Sequence, residues 1–435
     1  EVSGDPRIGS YFVSNYPPFS AWTPEALPAL DAVLDAPAPD DVPLGVYVHV
    51  PFCRKRCRFC YFKVYTEIPA ATIRAYVDDL AVEAAAWASR ARLAGRRARF
   101  VYFGGGTPSF LSQDQLRQLF GAVRTSFAVT DDAEITFECE PGTLREDKLR
   151  TLRELGVTRL SIGVESFDPA VLELNGRAHG EAQIAPAFEL ARAVGFPRVN
   201  LDLIAGMVGE TEAGWLAGID RTIALGPDSV TIYQMEVPAN TTIAKALRAG
   251  EGLGGELVDV ATRRRWAAAG FARLEAAGYR LTSGYTAVRG DVAQSFVYRD
   301  ALWHGADLVP LGVSAFGHLG GVHVQNDKDL PGWTERIRAG QLSGQRGYAL
   351  TAEQGLIREL VLQLKLGRVH AAPFRAKFGV DLRARFAAQW ANLAGLAAWE
   401  GDEVVLTRDA LMRVDELLPM FFLDVHGGQT ASEAA

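Results

Sequence analysis

The sequence predicts an α/β fold: a partial (β/α)6 parallel barrel with an extended N-terminal arm and a small, mostly helical C-terminal domain. Two observations predict it. From about residue 45 to about residue 236, short β-branched runs alternate with longer amphipathic stretches. Several of those stretches open on a capping residue and close on glycine. Strict strand-helix alternation calls for right-handed crossovers and a parallel sheet covered by helices, and six units suit an open barrel better than a closed eight-stranded one.

The strands are expected at residues 45–50, 99–103, 134–138, 159–164, 199–204 and 229–235. Helices are expected at 73–94, 112–127, 146–155, 181–194 and 212–225, with Ser112 and Thr143 as caps and Gly156, Gly195 and Gly226 as stops. Beyond residue 240 the alternation fades into a helix near 258–277 and a Gly-rich, aromatic stretch to Gln325. Helical segments from Thr351 and the stretch 399–406 suggest a winged-helix type of domain with a short hairpin. The expected domains are an arm at 1–44, a barrel with its extension at 45–325, and a C-terminal domain at 326–435.

The chain of 435 residues is 48% apolar, enough for a large core, and carries a net charge of -7 without a basic block. Nucleic acid is therefore not an expected partner. No apolar run approaches bilayer length, so no membrane is expected either. Three of the four cysteines fall within eight residues, unlike a secreted disulfide framework, and the expected location is cytoplasmic.

Those three, Cys53, Cys57 and Cys60, follow the first strand with C-x3-C-x2-C spacing. Thiolates so spaced can ligate three irons of a 4Fe-4S cubane and leave the fourth iron open. A zinc site is the alternative, with His49 available as a fourth ligand. Gly104, Gly105 and Gly106 follow the second strand, where glycine lets the backbone approach a ligand closely. In parallel α/β folds such loops gather at one rim.

The chain resembles the coproporphyrinogen-III-oxidase-like (HemN-like) branch of the radical S-adenosylmethionine superfamily over most of its length. The resemblance rests on SNYP at 14–17, YVHVPFCRKRCRFC at 47–60, YFGGGTPS at 102–109, ECEP at 138–141, RLSIGVESF at 159–167, NLDLIAG at 200–206 and LGVSA at 311–315. It implies a radical S-adenosylmethionine barrel in which the cluster binds and cleaves S-adenosylmethionine to start radical chemistry. By resemblance, Tyr47 and Phe59 flank the cofactor, and Gly105, Gly106 and Thr107 contact its methionyl part. Glu138, Arg177 and Asp202 match carboxylate, ribose or neighbouring polar contacts, and Glu165 stands where the porphyrinogen enzyme has Gln. Read alone, Glu138 and Asp202 are equally strand-end carboxylates, Arg177 a solvated helix residue and Tyr47 a core aromatic. Cys139 reads as a small buried hydrophobe and His49 as a packing residue.

Departures from the porphyrinogen enzyme shape the expected reaction. Phe62 replaces a further cysteine, Tyr298 stands in place of a Gln, and Phe316 in place of an aliphatic residue. The haem-carrying subgroup's His-Asn pair is missing from 298–303, leaving His304 as a substitute. The resemblance then favours transfer of a methyl or methylene group to an sp2 carbon: C-methylation or cyclopropanation in natural-product biosynthesis, with two S-adenosylmethionine molecules. Its catalytic candidates are Glu165, Tyr298 and Glu236, within a pocket also lined by Tyr233, Gln234, Tyr285, Trp303 and Phe316. The implied partners are an aromatic or unsaturated small molecule, a flavodoxin- or ferredoxin-type electron donor and, for some members, a separate methyltransferase-like protein. The alternatives are oxidative decarboxylation of the coproporphyrinogen type and haem carriage.

Overall fold

The computed structural model describes residues 8–9, 12–292 and 296–426. Its centre is a twelve-stranded sheet in which β1 (Leu44–Val50), β2 (Arg97–Gly105), β3 (Ala128–Cys139), β4 (Arg159–Glu165), β5 (Arg198–Ala205) and β6 (Ser229–Gln234) lie parallel in chain order. This is the expected α/β partial barrel. Each strand alternates its faces. In β4, Leu160, Ile162 and Val164 are fully buried in the main core, while Arg159, Ser161, Gly163 and Glu165 face a cavity.

The helices form where the capping chemistry expects them, with one exception. Ser112 and Gln115 make a reciprocal capping box on Gln113–Ser126, and Gly195 and Gly226 end their helices in the left-handed conformation. Thr143, expected as a cap, instead donates to the Glu140 carbonyl in the preceding turn, and Arg145 takes the N-cap of Glu146–Glu154.

The sheet also extends at both edges through pairings between distant segments. β7 (Tyr279–Leu281) and β8 (Thr286–Arg289) add antiparallel strands beyond β6. On the other edge β9 (Asp307–Leu311) lies parallel to β1, followed by antiparallel β10 (Phe316–Leu319), β11 (Val322–Asn326) and β12 (Gly344–Ala349). The sheet thus runs on past residue 326.

A second core gathers Leu356, Leu360, Phe374 and Val404 with Val13 and Tyr16 of the arm. Beside it, β13 (Arg368–His370), β14 (Ala397–Glu400) and β15 (Glu403–Leu406) form a small antiparallel sheet that contains the expected hairpin. The buried Lys365 ammonium donates to the Val13 carbonyl at 2.5 Å and pairs with Asp415 at 3.1 Å. Arm and C-terminal segment are thereby fastened together. Both face the barrel mouth, where Phe12, Ser14, Met412 and Asp415 wall the cavity opposite the strands.

Candidate active site

β1 delivers the chain into a loop whose backbone is pinned by Cys53 N–H donating to the Tyr65 carbonyl (3.0 Å) and closed by Cys60 N–H donating to the Cys57 carbonyl (3.2 Å). Cys53, Cys57 and Cys60 are free thiols on the cavity wall. Thr107 Oγ1 donates to Cys53 Sγ at 3.4 Å, and Arg177 Nη1 to Cys57 Sγ at 3.4 Å. Among the described residues no three His, Cys, Asp or Glu side chains converge on one metal ion. A cubane takes one thiolate per iron and so accepts cysteines spread more widely than a single ion does. Burial pushes the Cys53 thiol up to about 11 and the Cys60 thiol up to about 12, so iron binding has to displace their protons.

Two of the three glycines, Gly105 and Gly106, fit the same group. A Cβ on Gly106 would stand 2.9 Å from the Phe52 carbonyl oxygen and 3.0 Å from Cys53 Sγ. Gly105, at φ +113°, would drive a Cβ to 2.6 Å from the His49 ring. His49 is buried, bonded through Nδ1 to the Tyr47 hydroxyl at 3.1 Å, and burial lowers it to about 4. It supports the glycine loop from behind.

Three carboxylates gather beyond the cysteines. Glu138 accepts from the Tyr102 hydroxyl at 2.6 Å and from Gly105 N–H at 3.1 Å; burial pushes it up to about 7. Glu165 is also pushed up to about 7 by burial, against the lowering effect of Arg177, which stands 3.6 Å away. It holds φ +65°, a left-handed conformation uncommon for a side-chain-bearing residue and frequent at functional sites. Asp202, raised by burial, accepts from Ser161 and Asn200 at 2.8 Å each. Arg177 also donates to the Gly163 carbonyl at 2.6 Å, tying β4 to the cysteine loop. The site can therefore hold a polar ligand with cationic and hydroxyl groups next to an iron centre.

These groups open into a cavity of about 620 Å³. Phe59, Gly105, Gly106, Thr107, Glu138, Glu165, Arg177, Asp202, Tyr233, Gln234, Glu236, Tyr285, Tyr298 and Trp303 all reach its wall. Two expected residues do not. Tyr47 stacks behind Tyr102, with ring centroids 6.0 Å apart, because β1 turns it toward β2. Phe316 is drawn into an aromatic cluster with Phe19 and Trp22 outside the cavity. Glu236 accepts from Phe12 N–H at 2.7 Å and so fastens the arm. Phe62 lies on the wall beside Tyr61. His304 is exposed and bonded through its own ring to the Asp300 carbonyl, away from the cavity. Cys139 is buried, with its thiol aimed at the Phe137 carbonyl.

Sequence reading missed Tyr102, Phe296 and Arg159 on the same wall. Tyr102 and Tyr298 rings lie 4.3 Å apart, and Phe296 extends this surface. The missed signal was alternation: Arg159, Ser161, Gly163 and Glu165 recur every second residue, marking a polar inner face.

Comparison with known proteins agrees with this geometry. Residues 47–220 match the model of the radical SAM superfamily. The haem chaperone HemW of Mycobacterium tuberculosis is 33% identical over 401 residues, covering 91% of this chain and 97% of that protein. The oxygen-independent coproporphyrinogen III oxidase of Escherichia coli is 30% identical over 388 residues, 86% of this chain and 81% of that enzyme. The solved structure of E. coli coproporphyrinogen III oxidase (HemN), described as a radical SAM enzyme, superposes with a TM-score of 0.81 at 26% identity, covering 94% of this chain and 96% of that one. These relatives overturn the expected methyl transfer and cyclopropanation, since the similarity runs to haem chaperones and porphyrinogen oxidases. A 4Fe-4S cluster and S-adenosylmethionine are the cofactors this match implies, and the cysteine loop and glycine cradle suit them. The chain belongs to the HemN-like family of the radical SAM superfamily.

Proposed function

We propose that this chain is a HemN-type radical SAM enzyme that acts oxidatively on a carboxylated tetrapyrrole of the porphyrinogen class. The observation that carries this reading is the cavity of about 620 Å³, which joins the cysteine loop and the carboxylate cluster to a broad aromatic wall. When bound, the cluster and S-adenosylmethionine supply a strong hydrogen-atom abstractor. Arg177 offsets negative charge at Cys57, and Glu138 and Asp202, on the cavity wall, would hold the cofactor's ammonium and hydroxyl groups. Tyr102, Phe296 and Tyr298 offer flat faces against which a single pyrrole ring of the substrate stacks. Arg54, Lys55 and Arg56, exposed between two cluster cysteines, suit an acidic flavodoxin- or ferredoxin-type donor.

Haem carriage is the second reading, favoured by the 33% identity with HemW across 97% of its length. Against it, no histidine stands among the described residues that line the cavity.

Anaerobic incubation of the reconstituted protein with coproporphyrinogen III, S-adenosylmethionine and a low-potential reductant tests the proposal. The expected result is 5'-deoxyadenosine formed together with carbon dioxide and a vinyl-bearing product. Formation of 5'-deoxyadenosine at a rate indifferent to coproporphyrinogen, with a haem complex that survives gel filtration, would favour carriage instead.

A further inference from the structure

Arg159 opens β4 from its N-terminal end, and its side chain is 1% exposed on the cavity wall. Nη1 donates to Ser229 Oγ at 3.3 Å, the guanidinium lies 4.2 Å from the Phe296 ring centroid, and Nε has no hydrogen-bond partner. No carboxylate among the described residues stands within ion-pair distance of it. Asp202 is near enough to feel its charge, but its oxygens are held by Ser161, Asn200 and Thr231.

A second guanidinium faces the same end of the cavity. Arg299 is 6% exposed, paired with Asp300 at 2.7 Å and bonded to Ser283 at 3.1 Å; its centre lies 6.0 Å from the same Phe296 ring. Burial lowers Arg299, Asp300 opposes that shift, and Arg159 adds to it. Two buried like charges around one aromatic ring, with one of them lacking a counterion, is an arrangement that an anion stabilises and water alone does not. Serine, threonine and aromatic neighbours leave a carboxylate room to meet the planar fork of Arg159.

We propose that the deep end of the cavity is a carboxylate subsite, built on Arg159 with Arg299 beside it, which holds an acidic side chain of the substrate. Arg159 and Gly163, whose carbonyl receives Arg177, are four residue steps apart on β4, so the subsite lies about 13 Å along the strand from the cofactor end. The substrate then presents its reacting carbon at one end and an anchored carboxylate at the other. A ring bearing several acidic side chains satisfies both at once, and to that extent the inference rests on the tetrapyrrole reading above.

Two measurements on the reconstituted holoprotein, as wild type, Arg159→Met and Arg159→Lys, separate the subsite from that reading. The first is thermal unfolding with glutarate against chloride of equal ionic strength. Glutarate is expected to raise the midpoint of the wild type, less that of Arg159→Lys, and not that of Arg159→Met. An equal response in all three, or none in the wild type, overturns the subsite whatever the natural substrate. The second is fluorescence titration with coproporphyrin III and with its tetramethyl ester. The wild type is expected to prefer the acid by about tenfold, and Arg159→Met to lose the preference. Wild type binding neither compound overturns the tetrapyrrole reading, and the glutarate series then decides the subsite alone. Equal binding of acid and ester, or a preference that persists in Arg159→Met, overturns the subsite. Unchanged iron content in both variants verifies that the fold is intact.

Discussion

Arg177 Nη1 lies 3.4 Å from Cys57 Sγ, which places a largely buried guanidinium against a sulfur of the cysteine loop. The same side chain stands 3.6 Å from Glu165. Positive charge beside an iron-sulfur centre favours its reduced, more negative state. Replacing Arg177 with Gln should therefore make the cluster harder to reduce. The expected downward shift is on the order of 60 mV, equivalent to about 1.4 kcal/mol for one electron. A redox titration followed by electron paramagnetic resonance measures it. An unchanged potential would mean that solvent already screens this pair.

Gly106 offers a steric test of the cofactor cradle. A methyl group there meets the Phe52 carbonyl and Cys53 Sγ at 3.0 Å or less, and both belong to the cysteine loop proposed to hold the cluster. Gly106→Ala should lower reconstituted iron to below about half of the wild-type content, because that backbone has no flexible side chain to give way. Iron and sulfide analysis reads the loss. Gly121, with nothing within 4 Å of a built Cβ, is the control, and Gly121→Ala should load fully.

The barrel was legible because its signals are local. A capping box at Ser112 or a left-handed Gly195 depends on a few adjacent residues, as does C-x3-C-x2-C spacing. The outer strands were not legible: β7, β8 and β10 are three or four residues long and exist only through pairing with distant segments. In the site, the cysteines and Glu138 could be read from motif blocks, whereas Tyr47 and Phe316 could not be placed without their neighbours. The reaction type failed for a related reason. Phe62 and Tyr298 do line the cavity, but an aromatic wall accepts many planar ligands, and single replacements on it do not specify the chemistry.

Glu83 shows how the LGVSA block is held. This fully buried carboxylate accepts from Gly312 N–H at 2.6 Å, Asn326 Nδ2 and Trp333 Nε1 at 3.1 Å each, and the Ser343 hydroxyl. It joins the helix Ala70–Ala88 to the end of β9 and to β11. Glu83→Ala leaves those donors unpaired in a dry site and should cost about 3–5 kcal/mol. Glu83→Gln keeps an acceptor and should cost less. Urea unfolding of cofactor-free protein compares the two, and equal losses would mean that the charge rather than the acceptor geometry matters.

The raised carboxyls give stability a definite pH dependence. Burial holds Glu138 and Glu165 at about 7 in the fold, from an ordinary value of 4.5. Glu138 is partly reached by water from the cavity, yet protein surrounds it closely enough to oppose its charge. Across that interval the folded state binds more protons than the unfolded chain, so stability falls as pH rises from the unfolded value toward 7. Each group accounts for about 1–3 kcal/mol of this loss, and Glu83 and Glu210, raised to about 7 and about 8, act in the same direction. The melting temperature of cofactor-free protein should therefore drop between about pH 5 and pH 7.5, and Glu138→Gln should flatten the drop without abolishing it. Tyr102→Phe should act oppositely, because losing the 2.6 Å hydrogen bond raises Glu138 further and steepens the curve. Variant curves parallel to that of the wild type would show that Glu138 keeps an ordinary carboxyl value.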